Sequence, residues 1–309
     1  MRNLHSEITA KILAQLKTGV APWRRPWTKR AGVGELNVTF PRNATTGKFY
    51  SGVNVLLLWG KAQDCGFNNP RWLTFKQAKE HGGSVRKGEK GTEIVYVNFI
   101  ERADRSNPDK TARIPFLKSY HVFNVDQCDG LPAKLLEGGA ARVVETVGER
   151  NEIVDAFLAS TGATIRHGGD RAFYTTGGDY VQMPPLAAFT STDAYYAVLF
   201  HELGHWTGNA SRLNRTFGAR FGDRAYAIEE LVAELTSAFV CAEFGIDMGA
   251  APAAYLDSWL KGAVAALEAH EGAIVTAASK ASKAVEFMRG LASAEGDDVD
   301  AIEPVLEAA

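Results

Sequence analysis

Residues 197–208 read Ala-Val-Leu-Phe-His-Glu-Leu-Gly-His-Trp-Thr-Gly, and two histidines lie four positions apart behind an apolar run. The apolar run predicts a buried, rigid helix over residues 191–207. Positions i and i+4 share one helix face, so His201 and His205 can hold one metal ion between them. Glu202 then lies beside the ion, where its carboxylate can accept a proton from water. This pattern predicts a site for Zn²⁺, or another divalent ion such as Mn²⁺, with Glu202 in the catalytic role. A helix with two surface histidines is the competing interpretation.

A third ligand for such an ion is available further along the chain. A metal held by two histidines needs one more protein ligand and an open coordination position. Residues 226–244 have a helical pattern that includes Glu229, Glu230 and Glu234. Glu230 and Glu234 are four positions apart, so the second acid can orient a histidine ligand through its free ring nitrogen. Glu229 points about 100° away from Glu230 around the helix, so only one of the two should bind, and the sequence leaves both open. The alternative is a solvated acidic helix edge.

The formal net charge of −2 conceals two halves of opposite sign. Residues 1–130 carry 21 Lys and Arg against 11 Asp and Glu, a balance of +10, and the rest carry 13 against 25, a balance of −12. Such asymmetry indicates contact between the basic half and a nucleic acid or a membrane, unless two solvated domains merely differ in charge. Since no apolar run reaches 18 residues, we expect no membrane-spanning helix and favour nucleic acid.

Cysteine usage and the start of the chain point to a cytoplasmic protein. Cys65, Cys128 and Cys241 have no short spacing to one another, and an odd number of isolated thiols fits a reducing compartment. The first seven residues lack the apolar core of a signal peptide.

Tryptophan, arginine and proline are interleaved in residues 20–30, Val-Ala-Pro-Trp-Arg-Arg-Pro-Trp-Thr-Lys-Arg. Bases stack on aromatic rings and cations follow phosphates, so this mixture is typical of a sequence-tolerant platform for single strands. No zinc finger or basic zipper that would read a duplex is present. Trp23 and Trp27, flanked by charge and proline, are expected to be exposed, whereas Trp59 is expected in the core. The residues predicted to contact single-stranded DNA are Trp23, Arg24, Arg25, Trp27, Lys29, Arg30, Lys48, Tyr50, Asn54, Trp72, Lys76, Arg86 and Lys87.

The apolar pattern predicts an α+β fold in two parts. In the first part, helices are expected over 4–18 and 74–81 and paired strands over 93–100 and 117–125. The second part is mostly helical, with helices expected over 148–160, 191–207, 226–244, 252–271 and 273–292 and short strands over 172–175 and 180–182. The strand at 180–182 suits a sheet edge that pairs an extended peptide, or equally a buried core position. The expected domains are a basic DNA-binding domain (1–130), a linker (131–140), a metal-binding domain (141–295) and an acidic tail (296–309).

Both halves of the chain contain short motifs that together resemble those of a known protein family. The first half contains Trp-Arg-Arg-Pro-Trp at 23–27, Thr-Gly-Lys-Phe-Tyr-Ser-Gly-Val-Asn at 46–54, Trp-Leu-Thr-Phe at 72–75 and Val-Arg-Lys-Gly-Glu at 85–89. The second half contains His-Glu-Leu-Gly-His-Trp-Thr-Gly at 201–208, Ser-Arg-Leu at 211–213 and Glu-Glu-Leu-Val-Ala-Glu at 229–234. Together they resemble the ArdC-type antirestriction family, whose N-terminal domain also opens certain TraC-type plasmid primases. The resemblance implies a plasmid-encoded protein that binds single-stranded DNA and protects incoming conjugative DNA from host restriction. It also implies a zincin-like metallopeptidase fold in the second half.

The sequence leaves the use of the metal open. In one hypothesis the basic domain docks on single-stranded DNA and the second domain hydrolyses a protein found there, such as a restriction enzyme, with Tyr226 stabilising the oxyanion. In the alternative, the protein coats the strand without catalysis, and the metal only stabilises the second domain. A third and weaker hypothesis is that the acidic half mimics DNA.

Overall fold

A computed structural model describes residues 4–17, 23, 40–103, 111–137, 150–218, 224–248, 264, 267–268 and 272–294. Helices and small sheets alternate, and the α+β class is confirmed. The helices are α1 (Leu4–Lys17), α2 (Val53–Cys65), α3 (Phe75–Glu80), α4 (Ala133–Leu136), α5 (Glu152–Ser160), α6 (Thr192–Trp206), α7 (Arg224–Phe244) and α8 (Ala273–Ala294). The strands are β1 (Arg42–Asn43), β2 (Arg71–Leu73), β3 (Ser84–Val85), β4 (Thr92–Ala103), β5 (Thr111–Asn124), β6 (Cys128–Asp129), β7 (Thr164–His167), β8 (Phe173–Thr175) and β9 (Tyr180–Met183). The helix predicted over 252–271 lies almost entirely outside the described residues.

The first part of the chain is built on a four-stranded sheet with the order β1-β2-β5-β4. The long antiparallel hairpin β4–β5, which aligns Thr92 with Val122 and Ala103 with Thr111, confirms the predicted strand pair and extends it. Helix α2 packs on this sheet through Leu58, which lies in one apolar cluster with Ile94 and Val122.

Helix α2 was missed by the sequence pattern. Its first half, Val-Asn-Val-Leu-Leu-Leu-Trp, is almost entirely apolar, and opposite sides of this half are buried in different clusters. A helix that is apolar all round gives no 3.6-residue period. Gly66, in the left-handed conformation with φ of 69°, ends it.

The second part has a three-stranded sheet with the order β7-β9-β8, covered by helices. Strand β9 is central, so the edge-strand interpretation is wrong and the buried-strand alternative is right. Val181 and Met183 are fully buried and tie the sheet to the helices α6, α7 and α8. Strand β7, which pairs in parallel with β9, was not predicted.

One continuous apolar core joins the two parts. Phe40 packs edge-on against Trp59 of α2 and Phe239 of α7, and this confirms the core position expected for Trp59. The Gly52 N–H donates to Ser282 Oγ of α8 at 2.7 Å. The helix α7, which carries the acidic residues of interest, is therefore packed directly against the first part of the chain.

The segment after residue 130 also packs on the first part. Leu131 and Leu135 lie in an apolar cluster with Ala44, Leu73 and Val125. Residues at the start of the predicted linker (131–140) therefore pack on the first part of the chain, and the division into domains stays a prediction. Within the described residues, no helix is long and apolar enough to cross a membrane.

Candidate metal centre and nucleic-acid surface

Helix α6 presents the two histidines from its buried C-terminal end. Ser191 caps the helix by accepting a hydrogen bond from the Ala194 N–H at 3.0 Å. Neighbouring side chains such as Phe200 and Leu203 are fully buried and fix the rotation of the helix. His201 and Glu202 are themselves buried. The helix therefore holds the motif in a rigid, largely dry environment.

Helices α6 and α7 meet at Gly204, between the two histidines. A Cβ atom at this position would lie 2.8 Å from Ala233 Cα and 3.2 Å from Ala233 O. Glycine is therefore required for this approach. The approach brings the acidic residues of α7 to the histidine face of α6.

Three side chains converge where the helices meet. His201 Nε2 lies 3.5 Å from Glu230 Oε2, and His205 Nε2 lies 3.5 Å from Glu230 Oε1. One ligand atom from each of these residues lies within 4.8 Å of the other two. Two imidazole nitrogens and a carboxylate oxygen in this arrangement form a donor set for a divalent transition metal.

The other ring nitrogen of each histidine faces a second carboxylate. Glu234 Oε2 lies 3.5 Å from His201 Nδ1, and Glu229 Oε1 lies 3.5 Å from His205 Nδ1. Both carboxylates are buried. Carboxylates in this position fix the orientation of a histidine and its tautomer. Of the two candidate third ligands, Glu230 therefore faces the Nε2 atoms, whereas Glu229 lies behind His205.

Glu229 and Glu230 on α7 are held in their charged forms. Burial acts to raise the pKa of Glu230, but contacts with His201 and His205 and a hydrogen bond from Tyr226 outweigh it and lower that pKa to about 2. Burial likewise opposes ionisation of Glu229, but its pKa is lowered by hydrogen bonds from His205 and Arg215. An anionic donor therefore faces the two Nε2 atoms.

Arg215 is a component of the site that sequence reasoning missed. Its Nε and Nη2 atoms donate to the two carboxylate oxygens of Glu229 at 3.0 and 2.7 Å. Nothing in the local pattern around Arg215 predicts this contact, because the arginine reaches the site through a loop. The one indirect sign is Gly208, where a Cβ atom would lie 2.8 Å from Arg215 Nη2.

Several of the side chains predicted to contact DNA are buried. Trp23 is 2% exposed and packs in the apolar core that joins the two parts of the chain. Tyr50 and Trp72 are buried in the apolar cluster that contains Leu58, and Asn54 is also buried. The expected exposure of Trp23 is therefore wrong, because flanking charge and proline do not report packing against distant elements. Asn54 instead caps the sheet edge: its side chain accepts from the Val95 N–H and donates to the Val95 carbonyl, both at 2.8 Å.

The remaining predicted DNA contacts are at the surface or outside the described residues. Lys48, Lys76, Arg86 and Lys87 are exposed. Arg86 is engaged by Glu89 and Asp129. The residues outside the described part of the chain are Arg24, Arg25, Trp27, Lys29 and Arg30.

The structure places other aromatic residues at the surface of the first part. Tyr96 on β4 is 45% exposed, its ring lies 5.6 Å from that of Tyr120 on β5, and Lys118 Nζ lies 5.1 Å from the Tyr120 ring. We call these three residues the hairpin aromatic patch. Ile94 and Tyr96 are two residues apart and share one face of β4, yet Ile94 is buried and Tyr96 is exposed. A second exposed ring, Phe75, has Lys79 Nζ 5.1 Å from its centroid.

Comparison with known proteins places both halves of the chain. Residues 2–123 match the family described as the N-terminal domain of anti-restriction factor ArdC, and residues 152–280 match a zincin-like metallopeptidase family. The metal-free crystal structure of the antirestriction protein ArdC from plasmid R388 is similar with a TM-score of 0.77 and 40% identity, covering 95% of this chain and 99% of that one. The chain belongs to the ArdC antirestriction family.

Further relatives of this ArdC-family chain match it over most of their own length or over only a part of it. The Mn(II)-bound structure of the R388 ArdC protein is similar with a TM-score of 0.74 and 38% identity, covering 94% of this chain and 99% of that one. An uncharacterised protein, y4eC of Sinorhizobium fredii, is 38% identical over 93% of this chain and 91% of its own length. A DNA primase TraC of Escherichia coli is 40% identical over 92% of this chain but only 20% of the primase. The chain thus spans about a fifth of that primase.

Proposed function

We propose that this chain is an antirestriction protein that binds single-stranded DNA through its basic first part and holds a divalent metal ion in its zincin-like second part. The observation that carries the proposal is the convergence of His201, His205 and Glu230 in a chain of the ArdC family. Protection of incoming conjugative plasmid DNA from host restriction is the role that family membership supports.

The donor set fits Zn²⁺ or Mn²⁺. Each histidine has a carboxylate at Nδ1, so the neutral tautomer with a proton on Nδ1 leaves the Nε2 lone pair available for an ion. Three protein ligands with one open position are typical of catalytic rather than structural metal sites. A related protein, the R388 ArdC, has been crystallised with Mn(II) bound.

Hydrolysis of a peptide bond is the chemistry that this arrangement supports. When bound, the ion supplies Lewis acidity, which polarises a substrate carbonyl and makes water more acidic. His201, His205 and Glu230 would hold it. Glu202 acts as the general base, and its burial on α6 strengthens its electrostatic interactions there. The Tyr226 hydroxyl donates to Glu230, and we propose that it donates to a developing oxyanion instead during the reaction.

We further propose that single-stranded DNA lies over the hairpin aromatic patch rather than over the buried tryptophans. The exposed ring of Tyr96 and the half-buried ring of Tyr120 lie beside a lysine, so base stacking and phosphate attraction are available together. The balance of +10 in residues 1–130 supports the same half of the chain as the DNA-binding part. The binding should weaken with added salt and favour single over double strands.

An antirestriction assay separates an enzyme from a strand-coating protein. Transfer of a plasmid with restriction sites into a restricting host would be measured with Glu202→Ala, Tyr96→Ala and, as a control, Phe173→Ala. The proposed enzyme loses protection with Glu202→Ala while the metal stays bound. If Glu202→Ala protects the plasmid fully and Tyr96→Ala does not, the protein instead coats the strand without catalysis and its metal is structural. A restriction enzyme is the protein substrate to test first, by incubation with the purified chain and Mn²⁺.

A further inference from the structure

The loop after helix α6 places Arg215 between the end of α6 and Glu229 of α7, next to the proposed metal site. The Arg215 side chain is only 5% exposed. Besides its two bonds to Glu229, it donates from Nη2 to the Gly204 carbonyl at 2.6 Å and from Nη1 to Thr207 Oγ1 at 2.8 Å. One planar group thus joins the end of α6 to a carboxylate on α7.

We propose that Arg215 is a positioning residue of the metal centre, which fixes the orientation of His205 through Glu229. The inference rests on the metal site proposed above. Arg215 holds both oxygens of Glu229, and Glu229 Oε1 lies 3.5 Å from His205 Nδ1. With Nδ1 held in this way, the opposite nitrogen, Nε2, is directed toward Glu230.

The geometry requires a guanidinium group. Arginine presents its N–H groups in a rigid planar fork, whereas lysine offers a compact charge on a flexible stem. At Arg215 one edge of the fork bonds the carboxylate while other N–H groups bond the Gly204 carbonyl and the Thr207 hydroxyl. A lysine at this position can neutralise Glu229 but cannot make all of these bonds at once, so Glu229 and the imidazole behind it gain freedom to rotate.

Arg212 provides a matched control in the same loop. It is also largely buried, donates to the Trp206 carbonyl at the end of α6 and forms an ion pair with a carboxylate, that of Asp179. Asp179 in turn contacts Tyr174 and Asn209 rather than a histidine of the site. The two arginines therefore stabilise the same loop, but only Arg215 is linked to the proposed ligands.

The test measures metal affinity instead of catalysis. The full-length chain is stripped with a chelator and titrated calorimetrically with Mn²⁺ as wild type, Arg215→Lys and Arg212→Lys, with far-ultraviolet circular dichroism to confirm folding. Because loss of an outer contact to a metal-bound histidine typically weakens metal binding about 10–100-fold, we expect Arg215→Lys to lose at least about tenfold. Arg212→Lys should stay within about threefold of the wild type, since its partner is remote from the site. Equal affinities for the two lysine variants would overturn the proposal.

A second variant covers the case in which Arg215→Lys does not fold. Glu229→Gln removes the link itself and should weaken Mn²⁺ binding by a similar factor, and adding Arg215→Lys to it should weaken binding little further because both act in one chain of contacts. An unchanged affinity in Glu229→Gln, or fully additive effects, would contradict the positioning role. If the wild-type chain binds no Mn²⁺, the proposed metal site is refuted and the role of Arg215 with it. If the wild type binds Mn²⁺ and the variants bind it equally well, only the role of Arg215 is refuted.

Discussion

Replacement of Gly204 by alanine tests how the site is assembled. The added methyl group would lie 2.8 Å from Ala233 Cα and 3.3 Å from Ala233 Cβ, so α6 and α7 must separate. Alanine favours a helix by about 1 kcal/mol over glycine, but overpacking a core typically costs about 1–3 kcal/mol. Because the obstructing atom is main chain and cannot rotate away, we expect the upper part of that range to prevail, with a net loss of about 2 kcal/mol in unfolding free energy.

Gly290, an exposed position on α8, is the matched control. A Cβ atom there has no neighbour within 4 Å, so Gly290→Ala should stabilise the protein by about 0.5–1 kcal/mol through helix propensity alone. Both variants are compared with the wild type by urea denaturation of the chelator-treated protein, followed by circular dichroism. The two substitutions are chemically identical, and opposite signs of the change in unfolding free energy are expected.

Gly204→Ala should also weaken the binding of Mn²⁺. Separation of the helices moves Glu230 away from the Nε2 atoms of His201 and His205, whereas Gly290→Ala leaves them in place. A Gly204→Ala variant that is as stable as the wild type and binds Mn²⁺ equally well would refute the argument that this close approach builds the site.

Three further predictions concern the DNA surface, the sheet edge and acid stability. Tyr96→Ala should weaken binding to an oligothymidylate by about 1–3 kcal/mol in fluorescence anisotropy, whereas Phe173→Ala should not, and equal losses would exclude the hairpin aromatic patch. Asn54→Ala should lower the free energy of unfolding by about 1–3 kcal/mol in urea, because the Val95 N–H and carbonyl lose their hydrogen bonds to the Asn54 side chain. A variant that keeps its stability and loses only DNA affinity would show instead that Asn54 contacts DNA. Since the pKa of Glu230 is lowered from 4.5 to about 2, its charge stabilises the metal-free fold above pH 4.5, and this contribution is lost as the pH falls toward 2. The unfolding free energies of wild type and Glu230→Gln should therefore converge over that interval, and a constant difference would contradict the assignment.

The sequence predicts the helix α6 and its histidines because their signal is local. Spacing within a helix determines which residues share a face, so His201 and His205 needed no tertiary information. The choice between Glu229 and Glu230 did need it. Their 100° separation around α7 is resolved only by the rotation of that helix, which its contact with Gly204 helps to fix.

Tryptophan exposure could not be predicted from neighbouring residues. Trp23 has arginine and proline beside it in sequence, yet its ring is packed in a core shared with α1 and the helices of the second part. Burial is decided by elements far away along the chain, and a charged neighbour can point to solvent while the ring points inward. Tyr96 shows the opposite case, because it lies between Val95 and Val97 in the sequence and is nevertheless exposed.

The arginine at 215 shows the same limit for the metal site. Its partner Glu229 lies 14 residues further along the chain on the next helix, and no periodic pattern of the sequence relates the two positions. The only sign of this contact in the sequence is the glycine at position 208, because the Arg215 side chain passes too close to leave room for a Cβ atom there.

The central claim is that Glu230, and not Glu229, completes the metal site with the two histidines. Calorimetric titration of Mn²⁺ into wild type, Glu230→Gln and Glu229→Gln tests it directly, because the two variants remove one charge each from adjacent positions. We expect one ion per wild-type chain, loss of binding in Glu230→Gln, and weakened but measurable binding in Glu229→Gln. Retained binding in Glu230→Gln together with loss in Glu229→Gln would contradict it.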